Sequence, residues 1–231
     1  MGINLHYIEQ GSGEPLILLH GNGEDSTYFK YQIEHFATSH RVIAVDTRGH
    51  GKSPRGTAPF TIRQFAEDLA GLMDDLGIKR ADILGFSDGG NIALVFSTKH
   101  PDRVNKLIVN GANLYPFGMK THVLFPIVVE FCLASLLAPV SKRAKSHSEL
   151  LGLMVNDPNL APEDLAEIQA PTLVIAGVHD MIRESHTHLI ARSIPHASLA
   201  IIQGDHFVAA KNPSVFNAEV ERFLHTKRDE S

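Results

Sequence analysis

The run Ile83-Leu84-Gly85-Phe86-Ser87-Asp88-Gly89-Gly90 constrains this chain more than any other. An apolar segment leads in, and another, Asn91 to Phe96, leads out. That pattern reads as strand, sharp turn, helix. The turn carries Gly-x-Ser-x-Gly, a serine squeezed between glycines where a strand hands over to a helix. The serine backbone is strained there, and its neighbours must be small for strand and helix to approach. The hydroxyl then projects above the sheet at the positive end of a helix. Five residues of Gly and Ser occur in many turns, so a base, an acid and an oxyanion site must come from elsewhere in the chain.

The 231 residues suit one α/β domain with a modest insertion, and 43% hydrophobic residues can fill its core. A formal net charge of −5 and the lack of a long basic run argue against nucleic acid as a partner. The one basic cluster, Ser141-Lys142-Arg143-Ala144-Lys145, reads as a solvated face. Cys132 is the single cysteine, so no intrachain disulfide forms; its apolar surroundings predict a packed thiol. Met1 to Gln10 lacks a basic-then-apolar leader, and His6 stands where a myristoylation motif needs Ser or Thr. A cytoplasmic protein is the expectation.

Ile3 to Ile8 alternates like a half-exposed strand, and Gln10 to Pro15 is a turn cluster. Leu16 to Leu19 is a buried strand ending in His20-Gly21-Asn22-Gly23. Backbone N–H groups of such a turn can point into a cleft, and Asn22 is the best donor for half of an oxyanion hole. Tyr28 to Phe36 has helical spacing. Arg41 to Val45 is a strand running into Asp46-Thr47-Arg48-Gly49-His50-Gly51-Lys52-Ser53. This loop is not a phosphate loop: Asp46 stands where the first glycine belongs, and Pro54 blocks the following helix. Asp46 and Arg48 read as structural, paired within the loop. Thr61 to Leu76 is an amphipathic helix stopped by Gly77. Lys106 to Asn110 is the next strand.

From Leu114 to about Leu165 no strand pattern appears. Val123 to Val140 is largely apolar but holds Pro126, Glu130 and Pro139, which argues against a membrane-spanning helix. The region reads as a small helical cap. Its apolar surface can cover the active site, line a substrate pocket or form a homodimer contact. Strands return at Thr172 to Ala176 and Ser198 to Ile202, with helices at Glu184 to Ser193 and Val215 to Leu224 and a polar tail expected to fray. Alternating strands and helices give an α/β fold with a mostly parallel sheet flanked by helices. The expected division is a core of residues 1–113 and 166–231 with a cap of residues 114–165.

Parallel sheets place function at the carboxyl ends of their strands. Four such ends carry chemistry here: the Asn22 turn, the Ser87 turn, Asp180 and His206. Ser87 is the candidate nucleophile, His206 the general base and Asp180 the orienting acid. The backbone N–H groups of Asn22 and Asp88 are the candidate oxyanion donors. Asp205 is a lesser candidate acid, since it adjoins His206 but points elsewhere. Asn110 and Asn113, at another strand end, are not carboxylates. His186 and His188 are two apart on a helix and make poor metal ligands, so no metal and no cofactor are expected.

These motifs together, HGNG, DTRGHGKS, GFSDGG, Asp180 and His206, resemble the α/β-hydrolase fold superfamily over nearly the whole chain. Ser-Asp-Gly-Gly and residues 109–115 are similar, more narrowly, to the valacyclovir hydrolase (biphenyl hydrolase-like) group. That resemblance implies hydrolysis of α-amino-acid esters, with an acidic residue at the position of Asp88 holding the substrate amino group. A carboxylate beside a developing oxyanion is unfavourable unless a cation screens it. The plainer reading is that Asp88 stabilises a helix N-terminus. Gly21 and Phe86 are further candidate substrate contacts.

The function expected is a serine hydrolase for small carboxylic esters, with α-amino-acid esters among them. Carbon–carbon bond hydrolysis or perhydrolase chemistry on the same triad is the alternative. A small-ligand receptor with a retained triad belongs to a different class. Serine at position 87 argues against epoxide hydrolases and dehalogenases, whose nucleophile in this superfamily is aspartate.

Overall fold

The computed structural model describes residues 3–226; the expected frayed tail lies mostly outside them. Seven strands form one sheet: β1 (Tyr7–Gln10), β2 (Glu14–Leu19), β3 (His40–Val45), β4 (Ala81–Phe86), β5 (Val104–Asn110), β6 (Thr172–His179) and β7 (Ala197–Asp205). Their order is β1-β3-β2-β4-β5-β6-β7. Only β1 is antiparallel, paired with β3. The first strand starts later than its alternation suggested and takes in Gln10, so the turn is confined to the residues between β1 and β2. The last two strands run further than the sequence showed, because polar His179, Gln203 and Asp205 sit where the sheet ends and its faces open to solvent.

The helices are α1 (Lys30–Phe36), α2 (Ile62–Asp75), α3 (Asp88–Lys99), α4 (Thr121–Leu137), α5 (Lys142–Asn156), α6 (Glu184–Ser193), α7 (Val208–Lys211) and α8 (Pro213–His225). Thr61 caps α2 by accepting from the Gln64 N–H at 3.2 Å. Strand alternation splits the core into two layers. Ile17, Leu19, Ile43, Ile83 and Val109 face α2, α3 and α6. On the other face, Leu16, Leu18, Val42, Leu84 and Ile108 meet α1 and α8. The protein is therefore a three-layer α/β structure. No described helix is long and apolar enough to cross a membrane.

Strand β2 lies between β3 and β4, so the chain reverses its direction across the sheet there. The crevice above such a switch point is where open α/β sheets bind ligands. Leu19 is level with Gly85, and Gly85 with Val109. Register thus brings the turns after β2, β4 and β5 to one rim. The apolar stretch without strands forms α4 and α5, inserted between β5 and β6.

Two expectations change. Arg48 does not pair with Asp46: it makes a bidentate pair with Asp68 of α2, both bonds 2.6 Å. Asp46 instead accepts from the Ser26 and Lys52 N–H groups and contacts His6. Both residues are buried and each organises the loop through other partners. Cys132 is exposed, because α4 turns only a narrow face to the protein.

Candidate active site

Strand β4 delivers Ser87 into the turn before α3 with φ 53° and ψ −119°. A non-glycine residue there is strained, and packing must hold it. The Ser87 N–H donates to the Asn110 carbonyl at 2.8 Å, and the Asn91 N–H donates to the Ser87 carbonyl at 3.0 Å. The flanking glycines make the turn fit. A Cβ on Gly85 would lie 2.2 Å from the Gly89 carbonyl oxygen, and one on Gly89 would lie 1.9 Å from that of Leu19.

His206 directly follows β7 and Asp180 directly follows β6. The Ser87 Oγ lies 3.0 Å from His206 Nε2. His206 Nδ1 lies 2.7 Å from Asp180 Oδ1, which also accepts from the Ile182 N–H at 2.9 Å. An acceptor carboxylate requires the imidazole hydrogen on Nδ1, which leaves Nε2 as an acceptor for the serine hydroxyl. Asp205 takes no part: it accepts from the Phe207 N–H and from Lys211. His186 is buried and accepts from the Leu114 N–H, whereas His188 is exposed beside Glu184. Among the described residues no cluster of His, Cys, Asp or Glu suits a metal ion.

The turn after β2 is fastened at several points. His20 Nδ1–H donates to the Gly21 carbonyl at 2.7 Å, and the Thr47 N–H donates to His20 Nε2 at 3.0 Å. Burial, reinforced by His50, pushes the His20 pKa down to about 4, so the ring is neutral. The Gly21 N–H donates to Glu24 Oε2 at 3.0 Å. Gly21 therefore has its amide committed to the turn instead of to a substrate. Burial raises the Glu24 pKa to about 7. The Asn22 side chain donates to Asp88 Oδ2 and to the Leu150 carbonyl of α5, both at 2.8 Å.

Asp88 is 6% exposed. Its second oxygen receives a long 3.4 Å contact from Asn91 Nδ2, and Asn91 is in turn bonded to Asn113. Burial, aided by the charge of Asp157 and opposed by the Asn22 bond, raises the Asp88 pKa to about 6. Phe86, only 1% exposed, presents no open face. Its ring stacks on Tyr28 at 4.5 Å and supports His206 at 4.9 Å. A cavity of about 260 Å³ bordered by Lys120, Val123, Met181, His206 and Phe207 adjoins the relay. Sequence reasoning missed Glu24, the fastening role of His20 and the Leu150 carbonyl. A carboxylate three residues after Gly21 in a Gly-rich turn was a readable signal for the first; the third, a backbone atom, leaves none.

Comparison with known proteins agrees with the fold. A family profile described as alpha/beta hydrolase fold matches residues 14–131. The chain belongs to that family. RutD of Azorhizobium caulinodans, whose name proposes carbamate hydrolysis, is 30% identical, with 93% of this chain and 92% of that protein aligned. A 2-hydroxymuconate semialdehyde hydrolase of Pseudomonas sp. strain CF600 is 29% identical over 87% of this chain and 73% of its own length. A solved structure described as an N-acyl homoserine lactone degrading enzyme superposes with a TM-score of 0.79 at 28% identity, covering 96% of this chain and 97% of that one. The names of these three relatives describe hydrolysis or degradation of different substrates.

Proposed function

We propose that the chain is a serine hydrolase of small carboxylic esters that works through an acyl-enzyme on Ser87. The observation that carries this reading is the relay of 3.0 Å and 2.7 Å from Ser87 through His206 to Asp180. Ser87 Oγ attacks the ester carbonyl while its proton passes to His206 Nε2. Asp180 holds the imidazolium in place. The tetrahedral intermediate collapses, and the alcohol leaves with the proton from His206. Water then repeats the sequence on the acyl-enzyme and releases the acid. The Asp88 N–H, at the first position of α3, is one of the helix amides with no partner inside the helix, which suits it to the oxyanion. The Asn22 N–H is the second donor.

The role of Asp88 decides whether α-amino esters are preferred, as the likeness to the valacyclovir hydrolase group implies. Its carboxylate is buried and already holds Asn22. We favour an anchoring role: Asp88 fixes the turn that presents the Asn22 N–H. Carbon–carbon bond hydrolysis on the same triad is the second reading, supported by the likeness to the semialdehyde hydrolase. Domain division follows the insertion, with residues 114–165 as the cap.

A fluorophosphonate probe should label the parent chain at Ser87, located by peptide mass, and should not label Ser87→Ala. A parent that stays unlabelled overturns the serine-hydrolase reading. Turnover of a panel of neutral esters, α-amino esters and vinylogous diketones then separates the substrate classes.

A further inference from the structure

Helix α4 departs from how soluble proteins treat apolar helices. All its faces are apolar apart from isolated positions, which in water normally means a buried helix. Yet only Leu124 and Ala134 are buried. Phe125, Val129, Cys132, Leu133, Leu136 and Leu137 all reach solvent, with Leu136 77% exposed. Val140, just beyond the helix, is 84% exposed. From Phe125 to Leu137 these residues form a continuous outer stripe about 18 Å long at 1.5 Å per residue. A patch of this kind marks a contact surface.

What surrounds the stripe selects the partner. The chain carries a net charge of −5, but the end of the stripe carries exposed Lys142, Arg143 and Lys145. Among the described residues none of these three takes part in a salt bridge, whereas nearby Glu130 and Glu149 are matched by His147 and Arg55. Arg143 lines the same groove of about 670 Å³ as Leu133, Leu137 and Leu150, so cation and apolar surface share one face. A second copy fits poorly. Parallel pairing of two α4 helices would set one basic cluster against the other. Antiparallel pairing would set it against Lys120 and His122 at the opposite end. An anionic lipid surface meets both features at once.

We propose that the outer face of α4 and the start of α5 dock this protein onto anionic lipid bilayers, with α4 lying along the interface. The helix is not long and apolar enough to cross a bilayer, so binding is peripheral and reversible. The apolar stripe enters the headgroup boundary, and the three cations meet lipid phosphates. Leu150, which lines the groove, is also the residue whose carbonyl holds Asn22. Docking would therefore set the cap between the bilayer and Ser87.

Sedimentation of the full chain with vesicles tests this without reference to catalysis. Vesicles of equal parts phosphatidylcholine and phosphatidylglycerol should bind it at least about tenfold more tightly than phosphatidylcholine alone, given three cations near the surface. The variant K142E/R143E/K145E should lose that preference, and L133D/L136D should lose binding to both. All these positions are exposed, so the variants should unfold at the parent temperature and hydrolyse a soluble ester at the parent rate. No binding to the phosphatidylglycerol vesicles overturns the proposal. So does equal binding by the charge-reversed variant. A vesicle-indifferent dimer that L133D/L136D converts to monomer, seen by light scattering, assigns the face to a second copy and overturns it as well.

Discussion

A single amide connects three parts of the molecule. The Asn22 side chain gives one N–H to Asp88 at the start of α3 and the other to the Leu150 carbonyl in the cap. If Asp88 anchors Asn22, its charge matters less than its oxygen. Asp88→Asn keeps an acceptor and should leave kcat on a neutral ester near the parent value. Asp88→Ala removes it and should lower kcat roughly 10- to 100-fold, since losing one oxyanion donor outright costs about 100- to 1000-fold. An ammonium site predicts something else: both variants would lose α-amino esters selectively, through KM. Steady-state kinetics on matched amino and des-amino esters separates the two. His20 gives a stability prediction. Its folded pKa of about 4 lies below the ordinary 6.5, so its contribution is complete above pH 6.5 and drains as pH falls towards 4. The full loss is up to about 3 kcal/mol. In His20→Gln the urea midpoint should start lower at pH 7 and fall less steeply below it; an unchanged slope would refute the assignment. The strand-end placement of the candidates Ser87, Asp180 and His206 was readable because an apolar run precedes each. The hydrogen-bond duties of His20, Glu24 and Asp88 were not, because they depend on which side chain reaches which turn.

The elements were legible where periodicity was strong and less so at their ends. Buried strands β2 to β5 stand out as apolar runs, and α2 as an amphipathic repeat capped by Thr61. Strand β1 begins a few residues later than the sequence suggests because the alternation of Ile3 to His6 runs into it without a break. Cys132 was read as packed because an apolar neighbourhood in sequence does not say which face of a helix is covered. The elbow yields a contrast between two glycines in helices. At Gly89 a methyl group would meet the β2 backbone at 1.9 Å, and neither strand nor helix can yield. Gly89→Ala should destabilise by more than about 3 kcal/mol or prevent folding. At Gly71, inside α2, an added Cβ meets nothing within 4 Å. Gly71→Ala should raise stability by about 0.5–1 kcal/mol through helix propensity and unfolded-state entropy. Chemical denaturation of both variants checks the pair, and a tolerated Gly89→Ala would refute the close approach.

At the scale of the whole molecule, α5 is tied to the core by side chains distant in sequence, and this is what the sequence could least reveal. Arg55, in the loop after β3, makes a bidentate pair with Glu149 of α5 at 3.0 Å for both bonds. The partners are 94 residues apart in sequence and no local pattern joins them. One residue further along α5, Leu150 accepts from Asn22. The ion pair therefore sits where it can set how firmly α5 rests over the Asn22 turn. A half-exposed pair of this kind is worth up to about 1 kcal/mol, or roughly a fivefold change in an opening equilibrium. Glu149→Gln should speed amide exchange in residues 142–156 about fivefold while the global unfolding midpoint barely moves. If α5 gates substrate, KM should rise by a similar factor with kcat nearly constant, because Ser87, His206 and Asp180 belong to the sheet and not to the cap. The control is Arg41→Gln. It breaks the pair with Glu9 on the β1–β3 edge, which links only those two strands, and should leave exchange in α5 unchanged. Equal exchange in both variants would mean that the apolar contacts beneath α4 and α5 hold the cap unaided.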